Sequence, residues 1–115
     1  MEERFLVYNG FENEIETCFN DLIQRFNFKT QTISNYGLDF VNSRCILNLF
    51  YETGLQLWIK IPKYNISQMV PVLCMFRGDE IFEEYRSILS KQMNCDTMRE
   101  LSKFLIDNFS NELSE

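Results

Sequence analysis

The strongest constraint on the fold is a change in the spacing of apolar residues near residue 28. From there to residue 61, apolar side chains recur at every second position, which is typical of strands with one buried face. The alternating residues are Tyr36, Leu38, Phe40, Cys45, Leu47, Leu49, Tyr51, Leu55, Leu57, Ile59 and Ile61. Short polar stretches at residues 34–35, 42–44 and 52–54 separate the runs. With residues 28–33 added, the pattern predicts a four-stranded antiparallel meander, which Pro62 ends because proline cannot donate to a ladder.

Helical spacing flanks this run on both sides. Before it, one apolar stripe predicts a helix over residues 13–26, formed by Ile15, Cys18, Phe19, Leu22, Ile23 and Phe26. After it, a stripe of Met69, Val72, Leu73 and Phe76 predicts a second helix, with Ser67 as a possible cap and Gly78 as its stop. Asp79 is expected to cap a third helix, and a capping box at Thr97 a fourth. The fold class is therefore α+β: one domain of residues 1–115, with an N-terminal helix, the meander, and C-terminal helices packed on one face of the sheet.

Composition argues against an enzyme. The 115 residues include no histidine, which is the commonest general base near neutral pH and a frequent metal ligand. The four glycines stand far apart, and no nucleophile or phosphate-binding motif is present. Paired carboxylates can hold Mg²⁺, but no acidic motif at a strand end matches the one near residue 80. We therefore expect no catalytic residue, no cofactor and no metal site.

The four cysteines, Cys18, Cys45, Cys74 and Cys95, show no paired metal-binding spacing. Because Cys45 lies in a strand-like run and Cys18 on an apolar helix stripe, we interpret the cysteines as reduced, mostly buried thiols. The acidic start and the short apolar residues 5–8 do not resemble a secretory leader, and no apolar run approaches the roughly 20 residues that span a bilayer. We expect a cytoplasmic protein.

The net charge of −6 constrains the partners. Direct binding to nucleic acid or to an anionic membrane surface needs clustered lysine and arginine, whereas the 11 basic residues here are scattered. A basic protein partner suits the charge better.

Two surfaces are candidates for such a contact. One is the second face of the meander, which carries Val41, Ile46, Phe50 and Trp58 where a solvated face would be more polar. Either another part of the chain covers this face, or it is an aromatic patch with Trp58 as anchor.

The other candidate surface is acidic: Asp79, Glu80, Glu83 and Glu84 cluster in one segment, as do Glu12, Glu14 and Glu16 in another. One explanation is that helix starts and solvated helix faces favour carboxylates. The other is that these carboxylates attract a basic partner and guide its association. The residues we predict to bind a partner are Trp58, Phe50, Glu80, Glu83 and Glu84.

The segments YGLDFVNS (36–43), RCILNLFYE (44–52) and LQLWIKI (55–61), with the helices after them, resemble small bacterial immunity proteins. Such proteins belong to polymorphic toxin and contact-dependent growth-inhibition systems. The resemblance implies a non-catalytic protein that binds one toxin domain and blocks it. Toxins of this kind are often nucleases with basic active sites. No binding residue carries over, because immunity families diverge widely.

Two other functions fit the same features. A phage-type acidic inhibitor that mimics nucleic acid would space its carboxylates like phosphates along one face. A structural or assembly subunit would form a homodimer through its sheet.

Overall fold

The computed structural model describes residues 11–33, 37–51 and 54–115. Its helices are α1 (Phe11–Cys18), α2 (Asn20–Arg25), α3 (Val70–Arg77), α4 (Asp79–Leu89) and α5 (Cys95–Leu113). Its strands are β1 (Lys29–Thr32), β2 (Gly37–Val41), β3 (Ile46–Tyr51), β4 (Leu55–Ile61) and β5 (Ile66–Met69). The predicted turns at residues 34–35 and 52–53, and the apolar residues 5–8, lie outside the described residues.

The predicted first helix is two helices, because the backbone leaves helical geometry at Phe19 (φ −102°, ψ 18°). Its apolar stripe is nevertheless buried: Ile15, Phe19 and Leu22 have no exposed surface. Phe19 stacks on Phe40 of β2 with ring centroids 5.4 Å apart. The stripe therefore fixes α1 and α2 on one face of the sheet.

The sheet confirms the predicted antiparallel meander and extends it by one strand. The strand order in the described part is β1-β2-β3-β4-β5, and each neighbouring pair is antiparallel. Pro62 ends only β4, so the prediction that it ends the meander is wrong. A 3₁₀ turn at Pro62–Tyr64, followed by Asn65 in the left-handed region (φ 56°), returns the chain along β4. Ser67, predicted as a helix cap, lies in β5.

One face of the sheet forms the core together with the helices. Leu38, Leu49 and Leu57 are cross-strand partners, and so are Phe40, Leu47 and Ile59. All six are at most 2% exposed, as the alternation predicts. Helix α5 contributes Met98, Leu101, Phe104, Leu105, Phe109 and Leu113 to the same cluster. The prediction of an α+β fold with helices packed against one face of the sheet is confirmed.

The C-terminal helices begin at different residues from those predicted. Pro71 lies in the first turn of α3, where a missing backbone N–H costs nothing. Gly78 (φ 135°) separates α3 from α4, and Asp79 is the first residue of α4 rather than its cap. Asn94 caps α5 by accepting from the Thr97 backbone N–H at 2.9 Å, while the Thr97 hydroxyl donates to the Gln92 carbonyl. No helix in the described ranges is long and apolar enough to cross a membrane.

The loop between β2 and β3 ties the sheet to the ends of two helices. The Asn42 side-chain amide donates to the carbonyls of Phe26 and Leu113, both at 2.9 Å. Its oxygen accepts from the backbone N–H groups of Arg44 and Cys45, also at 2.9 Å. One polar side chain thus satisfies four backbone groups and holds the hairpin, the end of α2 and the end of α5 together.

The prediction of four reduced cysteines is wrong for two of them. Cys18, the last residue of α1, and Cys95, the first residue of α5, form a disulfide with Cα atoms 5.5 Å apart. The residues are 77 positions apart in sequence, so only the packing of α1 on α5 brings them together. Cys45 and Cys74 are free and buried, as predicted.

Candidate protein-binding surface

The predicted aromatic pair lies on the face of the sheet opposite the core. Trp58 of β4 stands between Asn48 of β3 and Met69 of β5 in the cross-strand register, and Phe50 pairs with Gln56. Trp58 and Phe50 are both partly buried. Their role in binding a partner therefore stays a prediction, and neither ring is the most accessible aromatic of the described chain.

The predicted acidic residues lie in the helix layer. Glu80, Glu83 and Glu84 are exposed on α4, which packs against α3 and α5. The structure therefore brings these three together but does not bring them to Trp58 and Phe50, which lie on the far face of the sheet. A single contact surface of ordinary size would use one group or the other.

Among the described residues, the most exposed large apolar side chain was predicted to be buried. Phe76, in the last turn of α3, is 82% exposed, and its neighbour Met75 is 59% exposed. The buried side of α3 is instead formed by Val70 and Cys74. At 3.6 residues per turn, Phe76 points roughly 140° away from that side. The signal that could have corrected the prediction is that five of the eight α3 residues are Val, Leu, Met or Phe, so their spacing fits more than one buried direction.

Arg77 fixes the turn that presents Phe76. Its guanidinium lies 4.5 Å from the Phe109 ring centroid and donates to the Asn108 carbonyl and to the Glu112 carboxylate. Gly78 follows and donates its backbone N–H to the Cys74 carbonyl at 3.1 Å. Because this backbone is held from both sides, the conformational entropy that Phe76 loses on binding a partner would come mainly from its side-chain rotation.

Three carboxylates that form no ion pair with a described residue follow Phe76 within eight positions of the sequence. Most acidic side chains of α4 and α5 form ion pairs within the chain: Glu83 with Arg86, Asp96 with Arg99, Glu100 with Lys91, Asp107 with Lys103 and Glu112 with Arg77. Asp79, Glu80 and Glu84 form no ion pair with any described residue. Asp79 and Glu80 follow Phe76 by three and four residues, a chain length of at most about 14 Å.

We call Met75, Phe76, Asp79, Glu80 and Glu84 the α3–α4 corner. It combines an accessible ring with three carboxylates that form no ion pair with a described residue, although Glu84 also interacts electrostatically with Lys103. Exposed apolar groups bordered by charge are typical of protein contacts. Glu80 and Glu84 of this surface are among the residues predicted from the sequence to bind a partner, whereas Phe76 and Met75 are not.

The two free thiols and the Tyr85 phenol of the described chain are buried. Burial raises the pKa of the Cys45 and Cys74 thiols to about 11, so both are protonated at neutral pH. Burial also raises the pKa of Tyr85 above its ordinary value. Among the described residues, no three side chains of the metal-binding types converge.

Two open cavities accompany these features. A groove of about 910 Å³ runs between α1–α2 and α5 and is lined mainly by polar and charged side chains. A second, of about 410 Å³, lies beside the β2–β3 loop and the Pro62–Tyr64 turn. Comparison with known proteins finds no matching protein family, no matching curated protein and no matching solved structure.

Proposed function

We propose that this chain is a non-catalytic binding protein that inhibits a basic protein domain, and that the α3–α4 corner is its contact surface. The observation that carries the proposal is the 82% exposure of Phe76, which is followed within eight residues by three carboxylates that form no ion pair with a described residue. The resemblance to immunity proteins makes a toxin domain, in particular a nuclease, the expected partner. Inhibition then follows from occlusion of the groove through which the nuclease reaches its substrate.

The chemistry of the corner defines what the partner must offer. Burying a phenylalanine side chain stabilises a complex by about 1.5–3 kcal/mol, so Phe76 needs an apolar recess. Asp79, Glu80 and Glu84 need lysine or arginine around that recess. A nuclease groove already supplies basic residues, because it holds phosphates.

The two parts of the corner contribute differently to binding. Exposed charges mainly raise the association rate and select the partner, whereas a buried aromatic anchor mainly slows dissociation. Association should therefore slow as ionic strength rises, while the dissociation rate changes little.

The ion pairs in α4 and α5 favour this proposal over mimicry of nucleic acid. A mimic needs a continuous row of free carboxylates, whereas Glu83, Asp96, Glu100, Asp107 and Glu112 each contact a basic side chain of the same chain. Three carboxylates without an ion pair in the described chain, close in sequence to an exposed ring, fit a protein partner better than a phosphate-like series. Dimerisation through the sheet would instead use the face that carries Trp58.

The proposal places the inhibitor in the cytoplasm, where a nuclease toxin would meet its substrate. A reducing cytoplasm is expected to open the Cys18–Cys95 disulfide. Alkylation of free thiols at the moment of cell lysis measures which state the chain occupies there.

The test is protection of growing cells from a toxin. The toxin to test is the variable C-terminal domain of any large secreted protein that the neighbouring gene encodes, co-expressed with wild-type protein, with Phe76→Ser or with Glu80→Lys/Glu84→Lys. We expect wild-type protein to restore growth and both variants to lose protection. Tyr64→Ser is the matched control, since Tyr64 is also an exposed ring but lies in the turn after β4. Absence of protection by the wild-type protein, or full protection by Phe76→Ser, would contradict the proposal.

A further inference from the structure

The Cys18–Cys95 disulfide carries an inference that is independent of the proposed inhibitory function. We infer that this bond is a thiol-exchange site, at which an anionic low-molecular-weight thiol attacks Cys18 and releases the thiolate of Cys95. The inference rests on three features of the described chain: the position of Cys95 on α5, the groove beside Cys18, and the basic side chains in that groove.

Cys95 is placed to be the leaving group. It is the first residue of α5, a helix of 19 residues, whose first-turn backbone N–H groups carry partial positive charge. Thiols at helix N-termini have a lowered pKa, and the sulfur with the lower pKa leaves faster in disulfide exchange. The neighbouring Asp96 opposes this effect weakly, since its side chain is 93% exposed and is paired with Arg99.

Cys18 is placed to be attacked. Only 4% of its surface is exposed, but it lines the 910 Å³ groove between α1–α2 and α5, whereas Cys95 is partly buried and does not line that groove. An incoming thiolate can therefore approach Cys18 from the groove while the released sulfur stays at the start of α5.

The groove suits a thiol that carries carboxylates. Arg25, Arg99 and Lys103 line it, together with the acidic Asp21 and Asp107. Lys103 pairs with Asp107 at 2.8 Å, whereas Arg25 forms no ion pair with a described residue. Arg25 is thus the cation most available to an anionic tripeptide thiol such as glutathione.

The exchange is chemically balanced in two steps. A thiolate RS⁻ attacks the Cys18 sulfur, the bond to Cys95 breaks, and its electron pair leaves with Cys95 as a thiolate. Cys18 then carries RS in a mixed disulfide. A second RS⁻ attacks the sulfur of the bound RS group, which forms RSSR and releases the Cys18 thiolate. Overall, two external thiols are oxidised and the protein disulfide is reduced.

The other two cysteines provide an internal control. Cys45 and Cys74 are at most 1% exposed, and burial keeps them protonated, so neither should exchange while the chain stays folded. The fold itself does not depend on the bond alone, because Ile15 and Leu22 pack in the same core as Leu101 and Leu105. Exchange therefore interconverts two covalent states of one folded chain.

Mass spectrometry of the folded wild-type protein tests the inference. The protein is incubated with millimolar reduced glutathione at pH 7.5, quenched with acid, alkylated and digested. We expect one glutathione adduct, on Cys18 at least tenfold more than on Cys95, with Cys45 and Cys74 unmodified until urea is added. A preference for Cys95, or modification of all four cysteines together only in urea, would overturn the inference.

The preference for an anionic thiol is tested separately. In Arg25→Glu, cleavage by glutathione should slow at least threefold relative to cleavage by neutral 2-mercaptoethanol. Lys91→Glu is the matched control, because Lys91 pairs with Glu100 and does not line the groove. An unchanged ratio in Arg25→Glu would overturn the assignment of an anionic thiol, while an adduct on Cys18 with both reagents would retain Cys18 as the attacked sulfur.

Discussion

Arg77 of α3 places its guanidinium 4.5 Å from the centroid of the Phe109 ring, at the residue where α5 departs from helical geometry (φ −129°, ψ 24°). The same guanidinium donates to the Asn108 carbonyl and to Glu112. A carbonyl next to a break in a helix needs a donor from elsewhere, and Arg77 provides it. This contact therefore joins the break in α5 to the turn that presents Phe76.

Replacing Arg77 should destabilise the fold measurably. Arg77→Ala removes the stacking on Phe109 and the charged hydrogen bonds, and we expect it to lower the free energy of unfolding by about 2 kcal/mol. Urea denaturation measures this change. Arg86→Ala is the matched control, with a guanidinium 5.8 Å from the Phe82 ring and an exposed ion pair to Glu83, and it should cost less than about 0.5 kcal/mol. Equal losses in the two variants would refute the special role of Arg77.

The Asn42 side chain is expected to be among the most sensitive polar groups. Asn42→Ala leaves two carbonyls and two backbone N–H groups without their partner, which should cost about 2–3 kcal/mol. Asn20→Ala serves as control, since the Asn20 side chain makes one exposed hydrogen bond, to Gln24 at 3.3 Å. Thermal unfolding of both variants tests the prediction, and a stable Asn42→Ala protein would show that water replaces these bonds.

Acidification should release the tie between Glu115 and the β2–β3 loop. Hydrogen bonds from Ser43 and Asn27 lower the pKa of the Glu115 carboxyl below its ordinary value of 4.5. The stability that this carboxylate contributes is therefore present above pH 4.5 and is lost as the pH falls through the lowered pKa. Titration of the Glu115 carboxyl by NMR should show the lowered pKa in wild-type protein and a pKa nearer 4.5 in Asn27→Ala. The same pKa in both proteins would exclude a contribution from Asn27.

Breaking the disulfide should lower stability without abolishing folding. A bond between residues 77 positions apart removes much of the freedom of the unfolded chain, and loop-closure entropy gives about 4–5 kcal/mol for this separation. Cys18→Ser/Cys95→Ser should therefore unfold at lower urea concentration than the oxidised wild-type protein but match the reduced one. A double variant as stable as the oxidised protein would show that the bond does not form in solution.

The sequence pattern predicted the structure correctly where several residues of one element must face the same side. The alternation from Leu38 to Ile59 is compatible with only one buried face for each strand, because shifting a strand by one residue would expose all of its apolar side chains. β5 escaped detection because its four residues hold only Ile66 and Met69 as apolar positions, on opposite faces. Such a segment is recognisable only once β4 is in place as its partner.

The predictions that Phe76 is buried and that Cys18 is a reduced thiol were wrong for a different reason, since the surroundings of both residues are set by distant parts of the chain. Five large apolar residues in two turns of α3 allow several buried directions, and the packing of Val70 and Cys74 selects one of them. The disulfide depends on α1 meeting the start of α5, which no local pattern encodes. The exposure of Glu80, Glu83 and Glu84 could be predicted from the sequence. That Glu80 and Glu84 form no ion pair could not, because ion pairing depends on where the neighbouring helices lie.

The most direct test of the account is the affinity of Phe76→Ser for the toxin domain, measured by calorimetry beside the wild-type protein and Tyr64→Ser. Because Phe76 is an exposed side chain, its replacement should change the free energy of unfolding by less than about 0.5 kcal/mol. The account predicts at least about 30-fold weaker binding for Phe76→Ser, equivalent to about 2 kcal/mol, and unchanged binding for Tyr64→Ser. Wild-type affinity in Phe76→Ser, or an equal loss in Tyr64→Ser, would contradict it.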